Sequence, residues 1–446
     1  MPMTEQRWLR IIPIALVMYT ISYIDRTNIA LALDPKLSPM MQFLGMDDKI
    51  KGNAVGIFFF GYLLLQIPSG YLANRWSPRK LISIFLVCWG ACAIGCGLVN
   101  TTAQFRTMRF LLGIAESGVF PATLVLLCNW FPRAERARAN AYWNLCQPLA
   151  VAGAAPVTGA LLGVWGWRAA LILEGALPLV WLPIWWFCIS DHPREAKWIS
   201  PQEREHLETT LAREAAELGS VGQGSLWQTI TQRSVLLALV VMVPIYFFQN
   251  CAAYGCNTFL SEALKGHGQN FTPLQTGILY AIPYLVTAVV MILVSRHSDK
   301  TQERRGHVAF VYSLAGFCLI ASVLISRYSF WLSFFLLCFA IQGPFAGLAP
   351  FWAIPSETMP RIVVGTVMGL VNAFGNLGGW AGNYAFGWLK KETGDIVVPF
   401  SVLGSALIVG ALLCFLLPKA KIAPRTPANS ANALAKARPA AETEQT

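Results

Sequence analysis

Long apolar runs recur along almost the whole chain, and they restrict the fold more than any other feature of the sequence. The 446 residues are 55% hydrophobic and only 13% charged. A run of about 20 apolar residues is long enough to cross a bilayer as a helix. Inside the bilayer, every backbone N–H and C=O must find its partner within the protein, which favours helices. The sequence therefore predicts an all-α polytopic membrane protein.

The positive charges indicate how such a chain lies in the membrane. The formal net charge is +11, and most of the 34 Lys and Arg residues fall in alternate loops, on the side that also holds Met1. Positive residues concentrate in cytoplasmic loops. We therefore expect both termini in the cytoplasm, and we attribute the excess charge to topology and not to nucleic-acid binding.

The apolar runs form two sets of six predicted spans separated by a polar segment. They lie at about 8–33, 52–73, 81–100, 104–128, 139–162 and 168–190, then at about 234–260, 274–294, 307–326, 330–354, 363–389 and 396–417. The predicted organisation is an N-terminal six-helix bundle (1–190), a cytoplasmic central linker (191–233), a C-terminal six-helix bundle (234–418) and a disordered, Ala/Pro-rich cytoplasmic tail (419–446).

Eleven cysteines lie almost entirely within the predicted spans, for example Cys88, Cys92 and Cys96 on one helix face. Zinc sites need closed sets of Cys and His ligands, so we interpret these thiols as small packing residues. The chain also lacks a phosphate-binding loop and a nucleophile motif. We expect no metal, no cofactor and no enzyme activity.

Two predicted spans carry charged side chains in their interiors. Asp25 and Arg26 are adjacent in the first span, and Arg109 and Glu116 lie seven residues apart in the fourth, which is about 10 Å along one helix face. An ionised side chain at the bilayer centre costs about 2.5 to 3.5 kcal/mol on insertion scales. Four such groups therefore predict a functional site.

Several segments are similar to a known family. They are Tyr-Ile-Asp-Arg-Thr-Asn (23–28), Arg-Phe-Leu-Leu-Gly-Ile-Ala-Glu-Ser-Gly-Val-Phe-Pro (109–121), Trp-Phe-Pro-Arg-Ala-Glu-Arg-Ala-Arg-Ala (130–139), Arg-His-Ser-Asp-Lys-Thr-Gln-Glu-Arg-Arg (296–305) and Asn-Ala-Phe-Gly-Asn-Leu-Gly-Gly (372–379). The chain resembles the major facilitator superfamily over its whole length and, within it, the anion:cation symporter family. Its bacterial branch includes carriers of sugar acids, tartrate, phthalate and hydroxyphenylacetate.

This resemblance implies two six-helix bundles related by a pseudo-twofold axis, in a monomer of the bacterial inner membrane. It implies uptake of an organic acid anion by proton symport with alternating access. The loop at 70–80 resembles the superfamily's gating loop, although Asn74 replaces its acidic residue, and residues 294–305 form a second copy that keeps the acid as Asp299. The other predicted gating residues are Arg75, Arg79, Arg304 and Arg305.

The buried charges suggest how a carboxylate could be carried. Arg26 supplies a permanent cation whose fork matches the carboxylate oxygens, and Tyr23 lies on the same helix face. Asp25 and Glu116 are the predicted proton-binding residues, because the proton affinity of a carboxylate changes with burial and with nearby arginines. The resemblance implies that Arg109 pairs with Asp25 when that carboxylate is ionised.

Polar side chains in other spans complete the predicted substrate site. They are Tyr62, Gln66 and Gln147 in the first half and Tyr254, Asn372 and Asn376 in the second. Phenols and amides suit a hydroxylated or aromatic acid, but the same groups could serve as hydrogen-bonding links between helices.

Other interpretations stay open at this point. The four charges could simply join two helices. Within transport, the alternatives are export, anion exchange and coupling to sodium instead of protons. The sequence does not identify the acid.

Overall fold

The computed structural model describes residues 6–221, 233–264, 271–301, 303–358 and 361–417, and within them the regular structure is helical. The predicted tail at 419–446 and the linker residues 222–232 lie outside the described residues. In chain order the helices are α1 (Gln6–Ala32), α2 (Met40–Phe43), α3 (Asp48–Gly56), α4 (Phe58–Leu64), α5 (Gln66–Arg75), α6 (Pro78–Leu98), α7 (Thr102–Ser117), α8 (Val119–Trp130), α9 (Arg133–Asn144), α10 (Cys146–Gly175), α11 (Leu177–Cys188), α12 (Pro201–Val221), α13 (Arg233–Leu264), α14 (Pro273–Thr301), α15 (Arg305–Ile325), α16 (Phe330–Ala346), α17 (Leu348–Thr358), α18 (Arg361–Thr393) and α19 (Val397–Leu413).

Among the described residues, nine helical segments are long and apolar enough to cross a membrane. One of them, Tyr142–Cys188, has 47 residues and is long enough for two crossings. Its backbone leaves the helical conformation at Gly166, where φ is 77°, so α10 consists of two helices joined at a residue that tolerates positive φ. The prediction of an all-α polytopic membrane protein is confirmed.

The two other predicted spans, 52–73 and 363–389, are helical but fall outside those nine segments. The first is divided into α3, α4 and α5, and the second lies within the 33-residue helix α18. Both carry many small and polar residues because they face protein: α18 packs along α3 and α4 of the other half. A helix at such an interface need not be as apolar as one that faces lipid.

A group of charged side chains joins the two halves at the end of the bundle opposite Gln6. Lys51 of α3 donates to Glu262 of α13 at 2.6 Å, and its side chain is fully buried. Lys390 of α18 binds Asp48 of α3 at 2.9 Å and also contacts Glu262. We call these four residues the charged seam. Because two of its three pairs, Lys51–Glu262 and Lys390–Asp48, cross between the halves, it stabilises the arrangement in which this end of the bundle is closed.

We expect Lys51→Met to lower the free energy of unfolding by about 1.5 to 3 kcal/mol, because Glu262 loses the fully buried one of its two lysine partners and keeps only Lys390. The measurement is the thermal unfolding midpoint of the detergent-solubilised protein.

Lys391→Met is the matched control for this prediction. Lys391 also pairs across the halves, with Asp47 at 2.8 Å, but its side chain is 48% exposed. Exposed pairs contribute about 0 to 1 kcal/mol. Equal losses of stability in the two variants would contradict the role of burial.

Candidate functional site

Arg26 forms a buried ion pair at the interface between α1 and α7. Its Nε donates to Glu116 Oε2 at 2.7 Å, and Ser22 Oγ donates to the same oxygen at 2.8 Å. Arg26 Nη2 in turn donates to Ser22 Oγ at 3.2 Å. The side chains of Arg26 and Glu116 are 4% and 0% exposed. The one arginine expected to bind substrate is therefore neutralised by a carboxylate of the protein itself.

Aromatic rings surround the same guanidinium group. Arg26 Cζ lies 4.6 Å from the ring centre of Tyr62, 5.0 Å from Tyr23, 5.4 Å from Phe58 and 5.9 Å from Tyr19. Rings at such distances attract a cation by about 2 kcal/mol when water is excluded. The cation is thus held by π faces, while its N–H groups stay directed at oxygen acceptors.

Asp25 faces a different set of partners from those of Arg26. Its Oδ2 accepts a hydrogen bond of 2.5 Å from the indole N–H of Trp89 on α6. Arg109, the predicted partner of the ionised Asp25 carboxylate, lies next to Asp25 and in this structure donates from Nη1 to the Asp25 backbone carbonyl at 3.2 Å. Asp25 and Arg26 have different partners because adjacent residues on a helix point in different directions.

The ring of Phe58 contacts both arginines. The Cζ atom of Arg109 lies 5.1 Å from the Phe58 ring centre, close to the value for Arg26. The two guanidinium groups therefore lie against the same aromatic ring. Phe58 was not among the residues singled out in the sequence, because a phenylalanine in a membrane span carries no functional signal of its own.

The second half of the chain contributes polar groups to the same region. The phenol of Tyr254 in α13 lies close to both Tyr23 and Arg26, and its ring centre lies 4.5 Å from that of Phe59. These contacts bring Tyr254 next to the buried cation across the interface between the halves.

A chain of amides crosses this interface beside the cation. Asn372 Nδ2 donates to Gln66 Oε1 at 3.0 Å, and Asn376 Nδ2 donates to Asn372 Oδ1 at 3.2 Å. Tyr246 O–H donates to the same Asn372 oxygen at 3.3 Å. Tyr246 was not predicted from the sequence, although it lies about two helical turns before Tyr254 on α13.

Gln147 has a local partner instead. Its Nε2 donates to Asn144 Oδ1 at 3.0 Å, just before α10 begins. Of the seven other predicted substrate-binding residues, three lie around Arg26 and three form the chain of amides, whereas Gln147 is tied to the end of the preceding helix.

The predicted gating residues bind groups within their own halves. Arg75 stacks on Tyr71, and Arg79 lies 4.4 Å from the ring centre of Trp186. Arg304 pairs with Asp299 at 2.6 Å. Arg305 Nη1 donates to the Leu417 carbonyl at 2.5 Å.

The second of these loops also holds an ionised carboxylate. Burial disfavours the charged form of Glu303, yet hydrogen bonds from the backbone N–H groups of Gly306 and His307 and from the His307 ring hold its pKa below the usual glutamate range. The loop that ends α14 is therefore fixed to the start of α15 through a charged acceptor.

A bundle of membrane-crossing helices with a buried cation and polar side chains between its halves defines a class of protein, the polytopic membrane transporters. The comparison with family models makes the assignment specific. Residues 15–383 match the model of the Major Facilitator Superfamily, and the chain belongs to that superfamily.

Individual relatives agree with this assignment. A protein of Agrobacterium vitis named as a tartrate transporter is 31% identical over 92% of this chain and 93% of its own length. A quinolone resistance transporter of Acinetobacter baumannii is 28% identical over 92% of this chain and 93% of its own length. The resemblance to the organic-acid branch of the superfamily is confirmed.

A solved structure shares the fold. The inward-open xylose transporter XylE from E. coli superimposes with a TM-score of 0.71 at 15% identity, covering 95% of this chain and 99% of that one. The fold and the family are those of a transporter and not of an enzyme.

We expect Ser22→Ala to lower the free energy of unfolding by about 1 to 3 kcal/mol, because the buried Arg26–Glu116 pair loses a hydrogen-bonding group that both partners use. Ser117→Ala is the control, since Ser117 Oγ bonds only one turn back, to the Ile114 carbonyl at 2.7 Å. Thermal unfolding in detergent measures both, and an equal effect would show that Ser22 does not support the ion pair.

Proposed function

We propose that the protein is a secondary active transporter that imports an organic acid anion by proton symport with alternating access. The substrate class is a hydroxy acid, a sugar acid such as a tartrate-like compound, or an aromatic carboxylate. The observation that carries this proposal is the buried pair between Arg26 and Glu116. The Glu116 carboxylate already neutralises the guanidinium group of Arg26, so a substrate carboxylate must compete with Glu116 for that group.

Competition for Arg26 couples the proton to the substrate. When Glu116 binds a proton it loses its charge, and the attraction that holds the guanidinium group is lost. The carboxylate of the substrate then takes the freed N–H donors, in the bidentate geometry that arginine favours. When the substrate leaves and Glu116 releases its proton, the ion pair forms again.

The balance of buried charge sets a minimum number of protons. Asp25 and Glu116 carry two negative charges when ionised, and Arg26 and Arg109 carry two positive ones. A bound monoanion adds one negative charge to this group. Because an uncompensated charge is unfavourable inside the membrane, we infer at least one proton for each monocarboxylate transported.

The polar groups beside Arg26 suit a hydroxylated acid. Gln66, Asn372 and Asn376 form a chain of amides that a substrate hydroxyl could enter by replacing one of the existing hydrogen bonds. The phenols of Tyr23, Tyr62 and Tyr254 supply further donors and aromatic faces. The name of the Agrobacterium vitis relative, a tartrate transporter, supports this substrate class.

Alternating access follows from the contacts between the halves. We take residues 1–190 and 234–418 as the two bundles that rock against each other, with the protein in the bacterial inner membrane and both termini in the cytoplasm. In that orientation the charged seam faces the periplasm. Opening the site to the periplasm then requires the seam to break, and opening it to the cytoplasm lets the seam form.

Export or anion exchange is the second candidate. The relative named as a quinolone resistance transporter favours it, because drug resistance is a function that export would serve. The direction of accumulation under a fixed proton gradient distinguishes this candidate from import.

We expect proteoliposomes with an inward proton gradient to accumulate one acid from a panel of tartrate, sugar acids, phthalate and hydroxyphenylacetate. Arg26→Ala should abolish uptake, because no permanent cation remains for the carboxylate. Glu116→Gln should bind substrate but lose gradient-driven accumulation, since its amide holds no titratable proton.

Arg327→Ala is the matched control for the loss of an arginine. Arg327 pairs with Asp395 at 2.9 Å, and its side chain is 63% exposed. Neither residue belongs to the predicted substrate site around Arg26. Uptake by this variant should equal that of the wild type. If Arg26→Ala and Glu116→Gln also transport like the wild type, the four charges only join helices. Accumulation under an outward proton gradient alone would support the second candidate.

We expect uptake of a monocarboxylate to carry no net negative charge into the proteoliposome, because at least one proton enters with each anion. Electrical recording on a solid-supported membrane measures the charge that moves when the acid is added. A current with the sign of net anion entry would contradict the inferred charge balance.

A further inference from the structure

We propose that Glu174 is a third proton-binding residue of the transport cycle, which water reaches when the interface between α10 and α14 opens. This inference rests on the proposed proton symport. Glu174 lies in the part of α10 after the break at Gly166 and is 4% exposed. It was not among the four charged residues identified from the sequence.

Neutral groups surround the Glu174 carboxylate. Oε2 accepts a hydrogen bond of 2.9 Å from Asn28 Nδ2, and Oε1 accepts one of 2.5 Å from Thr158 Oγ1. In the part of the chain that the structure describes, Glu174 forms no ion pair, whereas Glu116 and Glu262 bind Arg26 and lysines. A carboxylate held in this way can exist in the bilayer as the neutral acid and can ionise when water enters.

Glu174 is linked to the site already described. Asn28, which donates to Glu174, lies one turn after Asp25 on α1. The other charged group on the same segment, Arg168, donates to the backbone carbonyls of Gly97 and Val99. A proton that moves from Glu174 to Asp25 leaves Glu174 ionised and Asp25 neutral, so the total charge of the two is unchanged.

The interface beside Glu174 is closed in this structure. The two side chains that bind its carboxylate, Asn28 and Thr158, line a narrow space together with Tyr280 of the other half. The space is too narrow to admit a water molecule. Tyr280 is the titratable group that α14 presents here, and its O–H is bound to Asn257.

The contact that closes this space is made by backbone. A Cβ atom at Gly159 would lie 2.4 Å from the Pro273 carbonyl oxygen, and one at Gly277 would lie 2.3 Å from that of Ala155. Only glycine allows such an approach of α10 and α14. Gly159 follows Thr158 directly, so separation of the two helices would expose the Thr158 hydroxyl and then the Glu174 carboxyl to water.

Glu174→Gln tests the proposal in proteoliposomes, because the amide keeps the size of the side chain and, like the neutral acid, has one acceptor oxygen and one donor group, but it cannot exchange a proton. With an inward gradient of about one pH unit, we expect the ratio of uptake with the gradient to uptake without it to fall about tenfold, since one proton moving down that gradient supplies about 1.4 kcal/mol, a factor of ten in accumulation. Glu174→Asp, which retains a carboxyl group, should restore part of the ratio. A residue that only joins helices would lower both uptakes together and leave the ratio unchanged.

A second measurement uses the wild-type protein and does not depend on how the variants fold. A hydrophobic carbodiimide reacts with protonated carboxyls inside membranes, and mass spectrometry of the peptide that contains residue 174 would detect the adduct. We expect modification that decreases as the pH is raised.

The outcomes separate this proposal from the proposed function. Absence of the adduct at every pH, or an unchanged gradient ratio in Glu174→Gln, would overturn the role of Glu174 while symport stands. If the wild type itself shows no proton-driven accumulation of any acid, the proposed function is wrong, and the role of Glu174, which rests on it, is overturned with it.

Discussion

The ion pair between Arg26 and Glu116 is the interaction on which the rest of the site depends. A guanidinium group in the middle of a membrane span is tolerated only if its charge is compensated and its N–H groups are bonded. Glu116 compensates the charge of Arg26, and Glu116 and Ser22 accept hydrogen bonds from its N–H groups. Four aromatic rings supply further attraction without adding charge. This arrangement stabilises the guanidinium group but leaves its partner exchangeable, because another carboxylate can replace that of Glu116.

The parts of the site that could be predicted from the sequence are those set by one helix. Tyr19, Tyr23 and Arg26 recur at intervals of four and three residues, so they share a face whatever the tertiary structure. The helices and the polytopic class could be predicted in the same way, because the length of an apolar run and the thickness of a bilayer decide them. No knowledge of a neighbouring helix is needed for either conclusion.

The parts that could not be predicted depend on how helices rotate and pack. The sequence holds two carboxylates and two arginines on two spans, but their spacing does not show that Trp89 binds Asp25 or that Arg109 reaches a backbone carbonyl. Lys51 and Glu262 are 211 residues apart. Glu174 could have been noticed, since it is an acid within an apolar run, but its neutral partners come from two other segments.

The contrast between the bundle interiors and the interfaces explains how one chain can be both stable and mobile. The interiors are packed mainly with apolar side chains around a few buried polar groups, and deforming them would open voids that no new contacts fill. The interfaces consist of ion pairs, amides, phenols and close backbone contacts, all of which water can satisfy when the halves part. The energetic cost of opening an interface is therefore smaller than that of deforming a bundle, and this difference favours rigid-body rocking over internal rearrangement.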